Sequence, residues 1–267
     1  MIERIFVFIF GLIAGSFFNV CIWRLPREMS IRKPKRSICP KCQKTIIWYD
    51  NIPILSYLFL QGKCRFCKEK ISLRYPLVEL FTAILFLALF IHFGFQVNFF
   101  VYLILTSFLI VASFIDIEHR IIPDEISIGG MIVGVSIAIL RSFFGREMNL
   151  LPLYYSLGGL LCGGIVIYLT GIIGDIIIFK ILKKGSIEGE TESMGGGDIK
   201  LLAMIGAFLG FKKTLLTFFL APFFGALLGV YLIIRKKSHL IPYGPFLSLA
   251  AFISLMWGKE ILRFLFG

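Results

Sequence analysis

The sequence predicts an all-α integral membrane protein, with about eight transmembrane helices and one small cysteine-bearing insertion. Three observations predict it. First, 58% of the 267 residues are hydrophobic, 29 of them Phe, and the mean hydropathy is +0.88, whereas soluble domains average about 45–50% apolar. Second, apolar runs long enough to cross a bilayer as a helix, about 18 residues or more, recur near 4–23, 77–94, 98–117, 126–144, 153–182, 214–234 and 245–264. Nothing in them alternates as the strands of a membrane barrel do. Third, the charges collect on one side of those runs. An eighth run, 199–211, is only about 13 residues or ~20 Å long. It counts as a span if it is tilted, begins inside a cavity, or borrows from its flanks.

The net charge of +12 would suggest nucleic acid in a soluble protein. Threading eight spans from an outside N-terminus puts 24–75, 118–125, 183–198 and 235–244 on one side, with 21 of the 28 Lys and Arg residues on or bordering it. The positive-inside rule makes that side cytoplasmic. Basicity therefore reflects topology and attraction to anionic lipid, and nucleic acid is not an expected partner.

Residues 1–23 read as an uncleaved first span, since the charged start is only Glu3 and Arg4 and no small-residue cleavage site follows. Gly11, Gly15, Ser16 and Asn19 share one helical face suited to close packing. Arg24 and Arg27 stop the span at the cytoplasmic surface.

The insertion, about 24–75, comes next. Cys39-Pro-Lys-Cys42 and Cys64-Arg-Phe-Cys67 are two C-x-x-C knuckles separated by 21 residues, close to the spacing of a four-thiolate zinc site. A disulfide pair is the competing reading, which a reducing cytosol disfavours. A loop this size has too little apolar material to fold alone, so Zn2+ would supply much of its folding energy in a structural role. The insertion is thus zinc-ribbon-like, and 48–57 offer a surface to pack between knuckles and membrane. Cys21 and Cys162 lie alone in apolar spans and read as small hydrophobes.

Domains are expected at 1–95, holding two spans and the ribbon, and at 96–267, holding the remaining spans. Tyr75-Pro76 opens the second span, with Glu79 one turn inside, either complementing the helix dipole or lining a polar cavity. Asp116 lies in the third span, one to two turns before the end that Pro123 imposes, with Phe114 and Ile115 before it and Ile117 after it. Asp124, after Pro123, reads as the N-cap of the fourth span. Asp175 near the end of the fifth span has Lys180 as a local partner or snorkels. Residues 185–197, with Glu188, Glu190 and Glu192 among Gly, Ser and Thr, are either a linker or a gate over Asp198. Ile241-Pro242-Tyr243-Gly244-Pro245 is a rigid lead into the last span.

Asp198 itself comes after Gly195-Gly196-Gly197 and opens the short run. A carboxylate entering a membrane segment is costly and marks a functional site with a partner; the bland alternative is an N-cap. Glycines without Cβ let another backbone come close, and Lys200 would hold a polar mouth open. Asp116 and Asp198 share the cytoplasmic side and make the candidate catalytic pair. Two adjacent carboxyls share a proton, so one can take a proton from water while the other polarises a carbonyl. No Ser-His pairing, H-E-x-x-H or P-loop competes. The alternatives from other classes are a non-enzymatic zinc-ribbon adaptor and a proton-coupled transporter using Asp116, Asp175 and Asp198.

Gly15-Ser16-Phe17-Phe18-Asn19, the two knuckles, Asn51-Ile52-Pro53, Tyr75-Pro76-Leu77-Val78-Glu79, Asp116 with Ile122-Pro123-Asp124, and Gly195-Gly196-Gly197-Asp198-Ile199-Lys200 occur in that order. Together they resemble the bacterial type IV prepilin peptidases, across nearly the whole chain. The resemblance implies a G-x-G-D aspartyl endopeptidase of the inner membrane, active at its cytoplasmic face. Such enzymes cut a basic leader, after a glycine, from type IV prepilins or pseudopilins. It implies Asp116 and Asp198 as catalytic residues and Cys39, Cys42, Cys64 and Cys67 as metal ligands. It also implies N-methylation of the new terminal residue with S-adenosylmethionine, for which no glycine-rich Rossmann motif is visible and no residue is named.

Overall fold

The computed structural model describes residues 1–144, 151–177, 194–234 and 242–267. Its helices are α1 (Ile2–Arg24), α2 (Leu55–Phe59), α3 (Arg74–Phe93), α4 (Val97–His119), α5 (Asp124–Phe144), α6 (Leu153–Asp175), α7 (Gly196–Leu209), α8 (Phe211–Ile234) and α9 (Gly244–Phe266). Apart from the five-residue α2, each falls on a predicted apolar run. Extended pairing among the described residues is limited to two isolated bridges, Ile38 with Thr45 and Lys63 with Lys70. By length and composition α1, α3, α4 and α6 suffice to cross a membrane. The 21, 24 and 23 residues of α5, α8 and α9 give helices of about 31–36 Å. The chain divides into two compact units, Met1–Val111 and Ala112–Gly267, the division falling within α4.

In the first unit α1 lies against α3 with its small face inward. A Cβ on Gly11 would meet the Ala83 backbone, and one on Gly15 the Glu79 backbone, so only glycine permits this approach. Asn19 Nδ2 donates to the Tyr75 carbonyl at 3.0 Å from a buried position. Arg24, also buried, turns back to donate to the carbonyls of Ser30 and Ile31, which starts the ribbon. Of the surface predicted at 48–57, Trp48, Tyr49, Ile52 and Leu55 are exposed.

Glu79 lies past the first turn of α3 rather than in it. It is buried, and its Oε2 accepts the backbone N–H of Ile54 at 2.8 Å, with the Ser16 side chain as a second partner. Ile54 has φ of +60° with ψ of −51°, a positive-φ conformation that a β-branched residue rarely adopts. The bond from Glu79 thus ties a strained point of the ribbon to a membrane helix, just ahead of α2.

The second unit is centred on α7. All residues from Leu201 to Leu209 are buried, because α5, α6, α8 and α9 all pack on this helix. Its 14 residues make about 21 Å, so a short apolar run is sheathed by longer ones. Along the α6–α7 seam, Gly159, Gly163 and Gly206 bring backbones into contact, and any Cβ there would strike the opposite main chain. This is the small-residue packing by which membrane helices associate. Ser156 Oγ adds a buried bond to the Ala207 carbonyl at 2.7 Å. Helix α6 is assigned to Asp175 and the chain described to Ile177; the predicted Asp175–Lys180 pairing and most of the 185–197 loop lie outside the described residues.

Candidate active site and metal centre

Helix α4 carries Asp116 one turn from its end at His119. The Arg120 N–H closes on the Asp116 carbonyl at 2.9 Å, and Arg120 has φ of +55°, so the helix stops there. The Asp116 side chain is buried, the residue being 6% exposed. Its Oδ2 accepts the backbone N–H of Gly244 at 2.9 Å, and the Arg120 charge acts on it.

Asp198 stands in the first turn of α7. The cap is Gly195, whose carbonyl receives the Asp198 N–H at 3.1 Å. Asp198 therefore does not cap the helix, and its carboxyl is left for other work. The charge of Asp116 reaches it, so the two residues predicted as a pair are neighbours within the second unit. Two contacts show how the backbone brings them together. A Cβ on Gly197 would sit 3.2 Å from the Ile122 Cβ, and one on Gly244 would sit 3.3 Å from the Ile122 Cδ1. Ile122 thus wedges between the glycine beside Asp198 and the glycine that holds Asp116. Tyr243, next to Gly244, feels Asp198 in turn: burial first, then that charge, pushes its phenol up to about 12.

Asp124 is placed differently from its predicted role. Helix α5 begins at Asp124 itself, with Ile126 and Ser127 bonded to the Pro123 carbonyl. The Asp124 carboxylate accepts from Lys200 Nζ at 2.6 Å. A cation two residues past Asp198 is thereby tied to the start of α5. Sequence reasoning did not single out Gly244 and Tyr243 as site residues. Their signal was a glycine at the lead of the last span, on the membrane side where both aspartates were expected.

In the ribbon, Cys39, Cys42, Cys64 and Cys67 offer four sulfurs within 4.8 Å of one another. The two knuckles repeat one backbone pattern. Cys39 N–H donates to Lys44 O and Gln43 N–H to Cys39 O; Cys64 N–H donates to Glu69 O and Lys68 N–H to Cys64 O. Gln43 and Lys68 both have positive φ, 58° and 59°. The Cys67 main chain draws the Cys64 thiol down to about 7, while Cys67, against the pull of the Glu69 main chain, is pushed up to about 11 by desolvation and the neighbouring thiols; a bound metal would hold all four as thiolates. Zn–S bonds of ~2.3 Å in a tetrahedron set sulfurs ~3.8 Å apart, and Cys39 and Cys67 stand at 3.9 Å. The residues fit zinc. Asp50 and Arg65 brace the second knuckle through a two-point bond of 2.6 and 2.7 Å.

A membrane bundle that joins two carboxyls from distant segments, with a four-cysteine ribbon after its first helix, is the class that fold and site define. Residues 9–93 match the bacterial peptidase A24 N-terminal domain, and residues 103–230 match the type IV leader peptidase family. Relatives named prepilin leader peptidase/N-methyltransferase include one from Aeromonas hydrophila, 34% identical over 96% of this chain and 91% of its own. One from Bacillus subtilis is 34% identical over 97% and 96%. One from Myxococcus xanthus is 36% identical over 86% of this chain and 63% of its own length. No solved structure gives a significant match. The chain belongs to the type IV leader peptidase family and is an enzyme of that family.

Proposed function

We propose that this chain is an aspartyl endopeptidase that removes the short basic leader of type IV prepilins or pseudopilins at the cytoplasmic face of the bacterial inner membrane. Residues 1–95, with the ribbon at 24–75, form its first domain, and 96–267 its peptidase domain. The observation that carries the reading is the approach of Asp116, buried, to Asp198, half-buried, beside the Ile122 and Tyr243–Gly244 contacts.

The chemistry stems from that proximity. Brought within hydrogen-bond reach of each other, two carboxyls hold one proton between them. The ionised carboxyl accepts a proton from a water as its oxygen attacks the scissile carbonyl carbon. The protonated carboxyl donates to the carbonyl oxygen, and the resulting tetrahedral species collapses as the leaving nitrogen is protonated. Burial limits competing water at the pair, and the close approach allowed by Gly195–Gly197 leaves room for an extended substrate. Zinc would be held by Cys39, Cys42, Cys64 and Cys67 in a structural role, since four thiolates leave no position for water.

The relatives' name includes an N-methyltransferase. We extend that to methylation of the new N-terminal residue with S-adenosylmethionine as donor; no residue is assigned to it, and cleavage does not pass through it. The test is to incubate the purified protein with a full-length prepilin, with and without the methyl donor, and weigh the products. The expected result is a leader-free pilin in both, heavier by one methyl group when donor is present. An uncut prepilin would overturn the reading.

A further inference from the structure

We infer that the backbone N–H of Gly244, at the head of α9, is a positioning group for the acid pair: it holds Asp116 Oδ2 and sets the face that Asp116 turns to Asp198. This deepens the proposed function and rests on Asp116 being catalytic. Three observations carry it. Gly244 N–H donates to Asp116 Oδ2 at 2.9 Å from a buried position, joining residues that the chain separates by α5, α6, α7 and α8. A Cβ at 244 would lie 2.8 Å from that same oxygen, closer than real Cβ atoms come. The same Cβ would stand 3.3 Å from Ile122, whose other side meets Gly197 next to Asp198. So the position needs a residue that has a donor and no side chain, beside the Ile122 contact that links the two halves of the site.

Among the described residues, Arg120 on its own segment and Asp198 on α7 act on Asp116, and Asp198 in turn acts on Tyr243 beside Gly244. Of the neighbours that reach the Asp116 carboxyl, Gly244 gives a direct bond whose donor cannot titrate. One carboxylate oxygen is therefore occupied by the main chain, and the other is left for the shared proton and the water. A donor to a carboxylate also favours its ionised form, so the bond helps decide which member of the pair begins as base.

The experiment uses the full-length protein and its cleavage of a full-length prepilin. Gly244→Ala introduces the Cβ. Replacing the peptide N–H between Tyr243 and Gly244 by an ester oxygen, with an α-hydroxy acid at position 244, removes the donor without adding bulk. Gly129→Ala is the control, because a Cβ there meets nothing within 4 Å. Loss of a bond to a charged group corresponds to about 10- to 100-fold in rate. The inference expects Gly244→Ala and the ester to lose about that much, the control to match wild type, and the ester to move the acidic limb of the pH–cleavage profile to higher pH. A purely structural role for Gly244 would lower the amount of folded protein without moving that limb, and that result would overturn the inference. If the ester matches wild type in rate and pH profile while Asp116→Asn is inactive, the inference is likewise overturned and the proposed function stands. If Asp116→Asn itself cleaves, both fail.

Discussion

Replacing Glu79 by Ala should release the ribbon at α2 while leaving the membrane helices assembled. The Glu79 carboxylate accepts the Ile54 N–H at 2.8 Å. Hydrogen bonds to charged groups contribute about 1.5–3 kcal/mol, and Ile54 holds a positive φ of +60° that itself costs about 1–3 kcal/mol. The two magnitudes are comparable, so loss of the acceptor leaves the strain unopposed at this point. The segment is then expected to relax to an ordinary backbone conformation. The predicted change is an increase of about 10- to 100-fold in amide exchange for residues 52–60, read by hydrogen–deuterium exchange on the purified protein. Glu79→Gln keeps an uncharged acceptor and should give a smaller increase, about tenfold or less. Exchange in 52–60 that is the same in Glu79→Ala and wild type would refute the tether and its magnitude.

The metal centre and the α6–α7 seam each yield an expected outcome. Stripping metal with a chelator, or Cys39→Ser, should open residues 30–75 to protease while the helices keep their protection. Bound zinc should be released progressively as pH falls, because protons compete for the thiolates; an unchanged digestion pattern in 30–75 would contradict the metal centre. Ser156→Ala removes the buried donor to the Ala207 carbonyl and should cost about 0.5–1.5 kcal/mol in unfolding free energy, measured by denaturant titration in detergent. No change there would mean that the seam is held by its glycines alone.

Much of this architecture is legible in the sequence because its strongest determinants are local. An apolar run long enough to cross a bilayer can satisfy its backbone only as a helix, and each predicted run carries one, including the short helix at Gly196–Leu209. The knuckles are equally legible, since C-x-x-C carries its turn in its own spacing. Long-range choices are not. The sequence around Asp124 predicts a helix cap, a local role, but a cation 76 positions away offers its carboxylate a stronger partner. Glu79 looks in the sequence like a first-turn acid or a cavity-lining one, yet it serves a backbone N–H 25 positions back in the ribbon. Gly244 carries no motif; its part in the site depends on α9 beginning where α4 ends, which pattern along one chain does not encode.

The shared-proton pair is tested most directly by making Asp116→Asn and Asp198→Asn singly and tracking the mass of a full-length prepilin over time. Each variant should retain its fold and bound zinc yet lose about 10²- to 10⁴-fold or more in leader cleavage, the scale of a missing acid or base. A folded variant with either aspartate replaced that still cut the leader near the wild-type rate would contradict the account.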